Sequence, residues 1–416
     1  MKLLSKYNLK EKSWIFYDWA NSAYSLVVVT AILPIYFKYV AGSAGISGAD
    51  STAYWGYASS FASIIISLTA PILGTLGDYQ GYKKKFFDFF AFAGILLTLS
   101  LALVPNKSWV ALLIIFMLSY VSFQGANVFY DGFLVDVTED ERMDDVSAAG
   151  YGLGYFGSSF LFILVMILQV TNGFGKLDTS TVTKISFVLT ALWWFLFSIP
   201  FFKNVKQVYS VEHVKSPVKE SFLRIAHTIK EIRKYKNIVF FLVAYFFYID
   251  GVDTIFTMAS SIGVDFGIDT NKLIIMLLLI NFIAFPFTIL YGKLATKFGT
   301  KRMILVAILT YAFISLFAIF IQTITQFWIL AVLVGMSQGG IQALSRSYFA
   351  QMVPKENANE FFGFYNIFGK FSAIMGPLIV GFVGQLTGKS QYGMGALVVL
   401  FLFGGFLFWI QKEEVK

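Results

Sequence analysis

Twelve apolar runs, parted by short polar turns, set the folding problem for this chain of 416 residues. They fall near 13–37, 53–76, 86–104, 109–135, 147–171, 182–202, 237–260, 271–292, 303–321, 327–352, 361–386 and 393–410. A hydrocarbon core of ~30 Å takes about 20 helical residues to cross, and a chain in lipid must satisfy its own backbone hydrogen bonds. The expected fold class is therefore an all-α membrane protein with twelve transmembrane helices. Composition agrees: 57% of the residues are apolar and 13% are charged, against the ~25% charged of an ordinary soluble domain. Little chain is left for a soluble catalytic domain.

Residues 1–12 are polar and basic, and no cleavable leader is recognisable, so the first run is expected to stay in the membrane. An even number of spans puts both termini on one side. On that side fall 24 of the 32 Lys and Arg, whereas the opposite loops hold six. By the positive-inside rule both termini are expected in the cytoplasm, with the chain a multi-pass protein of the cell (inner or plasma) membrane.

Several chemistries drop out. The chain has no cysteine and only His213 and His227, so a disulfide framework, a thiolate nucleophile and a His- or Cys-based metal cage are excluded. No cofactor is expected. The net charge of +8 is dispersed, which argues against nucleic acid. The string Gly384 to Ser390 is one residue short of a phosphate-binding loop. No nucleophile or serine motif stands out, so the chain is not expected to be an enzyme.

A basic segment, 203–236, splits the runs six and six, giving an N-terminal bundle in 1–202 and a C-terminal bundle in 237–416. Within the linker, Ser216 and Pro217 can start an amphipathic helix with Phe222, Ile225, Ile229 and Ile232 on one face. It is expected to lie on the membrane surface as a cytoplasmic strap. The halves also repeat. GTLGDYQGYKKK from Gly74 and GKLATKFGTKRM from Gly292 align glycines and basic residues at an offset of 218, and Gln124-Gly125 aligns with Gln338-Gly339 at 214. Copies six spans apart enter from the same side, so the repeat is parallel, and such halves can rock about a central site.

Six ionisable groups fall inside the runs: Asp18, Asp131, Asp250, Asp253, Arg346 and Lys370. At about 3 kcal/mol each they must be paired, hydrated or neutralised. Helical spacing gathers their neighbours into stripes: Asp18, Asn21, Ser22 and Ser25 on the first run, and Gln124, Asn127 and Asp131 on the fourth. Asp250, Asp253, Thr254 and Thr257 share a face on the seventh run, Gln338, Gln342, Ser345 and Arg346 on the tenth, and Asn366 and Lys370 on the eleventh. Asp250 and Asp253 lie deep. Two such carboxylates on one face cannot both ionise cheaply, so the pair is a candidate for proton exchange or for a substrate ammonium. Arg346, with Lys370, is a candidate carboxylate clamp, and an α-amino acid fits both ends. Tyr24, Tyr130 and Tyr248, with Tyr17, are candidates for an aromatic wall beside the polar Asn21, Asn127 and Gln342. Asp18 and Asp131, nearer the cytoplasmic ends, are either gate residues or structural caps and loop-lysine partners. Arg346 and Lys370 also admit a purely structural reading as part of a buried ion pair.

The loop Gly74-x-x-Gly77-Asp78-x-x-Gly81-x-Lys83-Lys84-Lys85 resembles the hallmark loop between the second and third helices of the major facilitator superfamily. WIFYDWANSAY (14–24), SAAGYGLGYFG (147–157) and QGGIQALSRSYFAQMVP (338–354), followed by Glu360-Phe361-Phe362-Gly363, resemble its vacuole effluxer-like branch. That branch is named for fungal autophagy-related proteins that return neutral amino acids from the vacuole. Thr296, where the second loop copy lacks the Asp of Asp78, and Asp131, where Asn would be expected after Tyr130, depart from the pattern. The resemblance implies a two-bundle major facilitator fold, a cavity lined by spans one, four, seven and ten, and a conformational gate built from Gly74, Asp78, Gly81 and Lys83. The function expected is proton-coupled, alternating-access transport of small zwitterions such as neutral amino acids. The partners expected are a small-molecule substrate, protons and membrane lipid, with no fixed protein partner. A lipid or amphiphile transporter is the alternative on the same fold; a membrane enzyme or a non-transporting sensor fits less well.

Overall fold

The computed structural model describes residues 4–212, 214, 216–230, 232–265, 270–371 and 375–412. The twelve membrane-length helices expected are there: span 1, Leu9–Ser43; span 2, Ala53–Gly77; span 3, Tyr82–Leu103; span 4, Trp109–Gly132; span 5, Asp140–Val170; span 6, Thr179–Asn204; span 7, Lys236–Met258; span 8, Ile275–Phe298; span 9, Thr300–Ile319; span 10, Ile324–Met352; span 11, Lys355–Thr387; span 12, Gln391–Ile410. The spans pack six and six around a central cavity.

Local chemistry sets the helix ends. Asn8 and Glu11 form a reciprocal capping box at the start of span 1, and Thr323 and Gln326 form another at span 10. Pro71, Pro200 and Pro286 sit inside spans 2, 6 and 8 without ending them, as neighbouring helices allow in a membrane. Span 1 is longer than the apolar run suggested. Its middle, Tyr24–Ile32, is a nine-residue π-helical stretch, a rare geometry in which each bond reaches one residue further than in an α-helix.

The internal repeat is visible in the backbone. Gly81 and Gly299, aligned in sequence, both take left-handed φ, +76° and +92°, at the turns into spans 3 and 9. Gly74 and Gly292 mark matching close approaches between the bundles. A Cβ on Gly74 would meet the Asn359 carbonyl carbon of span 11 at 2.8 Å and its oxygen closer still; one on Gly292 would meet the Ala148 Cβ of span 5 at 2.5 Å. Further up the seam Phe156 stacks on Phe285 with centroids 4.7 Å apart. These contacts seal the bundles together on the side of the termini.

The linker adds contacts that the sequence did not suggest. A helix does form over Pro217–Lys230, but it is also docked on the bundles. Arg224 Nη1 donates to the Thr75 carbonyl at the end of span 2 (3.4 Å). Thr228 Oγ1 donates to Glu360 Oε1 at the start of span 11 (2.6 Å). Upstream, Val211 exchanges backbone bonds with the turn after span 2, donating to Asp78 O and accepting from Gln80 N–H.

Candidate functional site

A cavity of about 380 Å³ lies between the bundles. Span 1 lines it with Asp18, Asn21, Ser22 and Ser25; span 4 with Gln124, Asn127, Tyr130 and Asp131; span 10 with Gln338, Gln342 and Arg346; and span 11 with Tyr365, Asn366 and Lys370. The polar stripes therefore converge because each gathers one face of its helix. Asn21 Nδ2 donates to Asn127 Oδ1 (2.7 Å), which joins the first and fourth stripes. Tyr155 OH donates to Gln342 Oε1 across the bundles. Gln338 Oε1 is buried and has no hydrogen-bond partner among the described residues.

Arg346 is held at the closed end. Its Nη2 meets Asp18 Oδ2 and its Nη1 meets Asp131 Oδ1, each at 3.2 Å. Nε donates to Ser147 Oγ (3.0 Å), and Nη2 also reaches the Ser147 carbonyl. The guanidinium carbon lies 4.1 Å from the Tyr151 ring centroid and 4.6 Å from that of Trp14, a cation–π arrangement that satisfies a charge without water. A cation of the C-terminal bundle is thus tied to two carboxylates of the N-terminal one. The ion pair joins the two bundles, and among the described residues neither Asp18 nor Asp131 is paired with a loop lysine.

The other two charges are differently placed. Asp253 and Lys370 both line the cavity, and among the described residues neither forms an ion pair within 4.0 Å. The Lys370 ammonium acts electrostatically on both Asp253 and Asp131.

Four sequence candidates point elsewhere, one of them Tyr17, which is fully buried and does not line the cavity. Asp250, grouped with Asp253 for proton exchange, is fully buried. Its carboxylate accepts the Gly376 N–H with both oxygens (2.9 and 2.8 Å) and the Thr254 hydroxyl (3.3 Å), so it caps a helix of span 11 rather than facing the cavity. Tyr24 packs on Phe123 and Trp194 with its hydroxyl 2.7 Å from Ser119 Oγ, and Tyr248 meets Ser345 Oγ at 2.7 Å. Both rings are buried inside a bundle, and neither lines the cavity. Sequence reasoning did not assign Trp14, Ser147, Tyr151 and Tyr155 to the site. Its signal was the motif strings that contain them.

The gate loop builds a second cluster. Asp78 accepts the N–H groups of Asn359 (Oδ1, 2.9 Å) and Glu360 (Oδ2, 3.1 Å) at the start of span 11, an anion on a helix N-terminus. Arg224 of the linker bridges Asp78 Oδ2 (3.3 Å) and Glu360 Oε2 (2.9 Å). The Asp78 carboxyl is pushed up to about 7, chiefly by burial, while Lys83 and Arg224 oppose that rise. Lys83 does not reach this seam. It forms a fully buried ion pair with Asp136 (2.7 Å) and donates to the Gly132 carbonyl, inside the N-terminal bundle. Gly81 only turns the chain, its N–H donating to Gln207 Oε1 (2.8 Å).

The repeated edge between spans 5 and 8 is closed otherwise. Thr296, at the position equivalent to Asp78, is exposed and donates to its own helix at Lys293. Asp144 of span 5 instead accepts hydroxyl donors from Ser347 and Thr300.

Residues 9–140 and 135–415 match the family described as vacuole effluxer Atg22 like. The chain belongs to that family. It is 49% identical over 416 residues to the uncharacterized MFS-type transporter YxiO of Bacillus subtilis (strain 168), covering 100% of this chain and 97% of that protein. It is 21% identical over 476 residues to autophagy-related protein 22 of Vanderwaltozyma polyspora, covering 96% and 90%. Among solved structures it resembles the major facilitator transporter FucP in the outward conformation, with a TM-score of 0.71, 11% identity, and coverage of 99% and 100%. This member of the Atg22-like family is a major facilitator transporter and a multi-pass membrane protein.

Proposed function

We propose that the chain carries small zwitterionic solutes, neutral amino acids foremost, by proton-coupled alternating access. The observation that carries this reading is the presence of Asp253 and Lys370, opposite charges without an ion-pair partner among the described residues, in one cavity of about 380 Å³. Lys370 takes the substrate carboxylate, Asp253 its ammonium, and the vacant Gln338 oxygen a further N–H. The volume falls within the ~300–1,000 Å³ usual for small-molecule sites. Asn21, Asn127 and Gln342 make the lining polar, which favours a zwitterion over the acyl chains of an amphiphile. Arg346, occupied by Asp18 and Asp131, serves as the inner gate. Two carboxylates share one guanidinium, so the gate can take up one proton while Arg346 keeps one ion pair.

In this reading the terminal side is cytoplasmic, by the excess of Lys and Arg there, the membrane is the cell membrane, and the seam-closed form faces outward. The chain divides into bundles of 1–202 and 237–416, with 203–236 as linker.

Radiolabelled leucine counterflow in proteoliposomes tests the assignment. Native protein is expected to exchange leucine. Lys370→Ala and Asp253→Asn each lose a charge-assisted contact and raise the half-saturating concentration by at least about 30-fold. Arg346→Ala is expected to alter the rate and its response to a pH gradient more than the affinity. No leucine exchange by folded protein, with transfer of labelled phospholipid in its place, would replace the zwitterion by an amphiphile.

A further inference from the structure

The linker helix turns a polar face to the bundles and an apolar, lysine-flanked face outward. Arg224 and Thr228 face the bundles and bind Asp78 and Glu360, and Ser221 is buried with them. On the outer side Val218, Phe222 and Leu223 are each more than half exposed, flanked by exposed Lys219 and Lys230. Segment 203–236 carries nine basic residues against three acidic ones. The helix sits against the ends of spans whose flanks face lipid: Leu68 of span 2 is 66% exposed and Phe371 of span 11 is 42% exposed. Leu68 lies seven residues before Thr75, the Arg224 contact, or about 10 Å along the helix. The linker helix thus lies about two helical turns beyond a lipid-facing side chain, at the end of the apolar spans. Apolar side chains between lysines there match an anionic interface, where the rings enter the acyl boundary and the ammonium groups meet phosphates.

We propose that the outer face of this helix docks on anionic phospholipid of the leaflet on the terminal side, and that this seating holds the Arg224 clamp across the closed seam. The surface is separate from the cavity, and the inference does not depend on which solute is carried. Because the chain has no cysteine, a single Ala226→Cys on the exposed face can be labelled uniquely with an environment-sensitive fluorophore. The full chain is reconstituted in phosphatidylcholine alone and in phosphatidylcholine with about one part in three of phosphatidylglycerol. A blue shift is expected only in the anionic vesicles, reversed by high salt. Lys219→Gln and Lys230→Gln each lower the ratio of docked to free helix about fivefold. In the same samples the Asn359 and Glu360 amides, the donors to Asp78, are expected to exchange more slowly in anionic vesicles. Identical spectra in both vesicles, or a shift indifferent to the two lysines, would overturn the lipid assignment. A blue shift already complete in detergent would also overturn it, because the face would then be covered by protein. Equal amide exchange in both lipids would overturn the link to the clamp.

Discussion

Gly74→Ala is the sharpest test of how the seam closes. The added methyl would sit 2.8 Å from the Asn359 carbonyl carbon and 3.3 Å from the Glu360 Cα, both backbone atoms that cannot swing aside. Ordinary contact needs ~3.5 Å or more, so spans 2 and 11 must part by about 1 Å. The bonds from Asn359 and Glu360 to Asp78, now 2.9 and 3.1 Å, would then lengthen to about 4 Å and cease to be hydrogen bonds. At pH 8, where Asp78 is ionised, each is worth ~1.5–3 kcal/mol. The closed seam should lose about 3–6 kcal/mol, and at 1.4 kcal/mol per tenfold this shifts the closed-to-open ratio by ~10² to 10⁴. Spin labels on Gln80→Cys and Glu356→Cys, both at exposed positions, would report the shift as a longer distance population by pulsed electron resonance. Gly81→Ala is the control. It strains a left-handed residue by ~1–2 kcal/mol, yet no atom lies within 4 Å of its new methyl, so the distance should stay native. A native distance in Gly74→Ala, or equal opening in both variants, would refute the close-packing argument.

The remaining expectations use other residues. Asp78, pushed up to about 7 by burial, binds its proton more tightly in the closed seam than a hydrated aspartate at ~3.9. Its contribution to closure is full below the lower value and is lost as pH rises through the upper one. Acidification from pH 8 to 6 should therefore favour closure about tenfold, read with the same spin-label pair; a response that persists in Asp78→Asn would show that another group titrates. Lys83→Met strands Asp136 in a site where both side chains are fully buried and should cost ~3–5 kcal/mol in unfolding. Adding Asp136→Leu should recover only part, since Asp136 also accepts the Val208 and Tyr209 amides. Asp250→Leu should lower the thermal midpoint through a lost cap of ~1 kcal/mol, while Asp250→Asn keeps leucine counterflow and its pH response; loss of the pH response in Asp250→Asn would return this residue to proton coupling.

The twelve spans and the convergence of the stripes were legible because a charge or amide inside an apolar run has few places to go. Which edge of a stripe meets the cavity was not. Residues three apart on a helix differ by about 60° in direction, enough to turn Asp250 toward Gly376 while Asp253 reaches the cavity. Tyr24 and Tyr248 fail for a related reason, since an aromatic residue beside a stripe packs equally well into its own bundle. The partners of Arg346 lie 328 and 215 residues away, and no local pattern encodes such a pairing. The glycines were legible through their repetition at one offset, but sequence does not separate Gly74, needed for approach, from Gly81, needed for its φ. The linker's amphipathic pattern was read from its apolar face, whereas Arg224, on the other face, makes the contact with the gate.

The repeat that built the two edges of the seam left them chemically unequal. Along spans 2 and 11 closure passes through Asp78, Glu360 and Arg224; along spans 5 and 8, with Thr296 turned to solvent, hydroxyl groups on Asp144 take over. Salt and membrane charge act on the first edge, through the Arg224 ion pairs, more than on the second, whereas acid meets a carboxylate on each. The bundles should then separate as a wedge rather than in parallel, beginning at the first edge and pivoting on the second. On that expectation, the Asp-to-Thr difference between two copies of one loop helps give the rocking motion a direction.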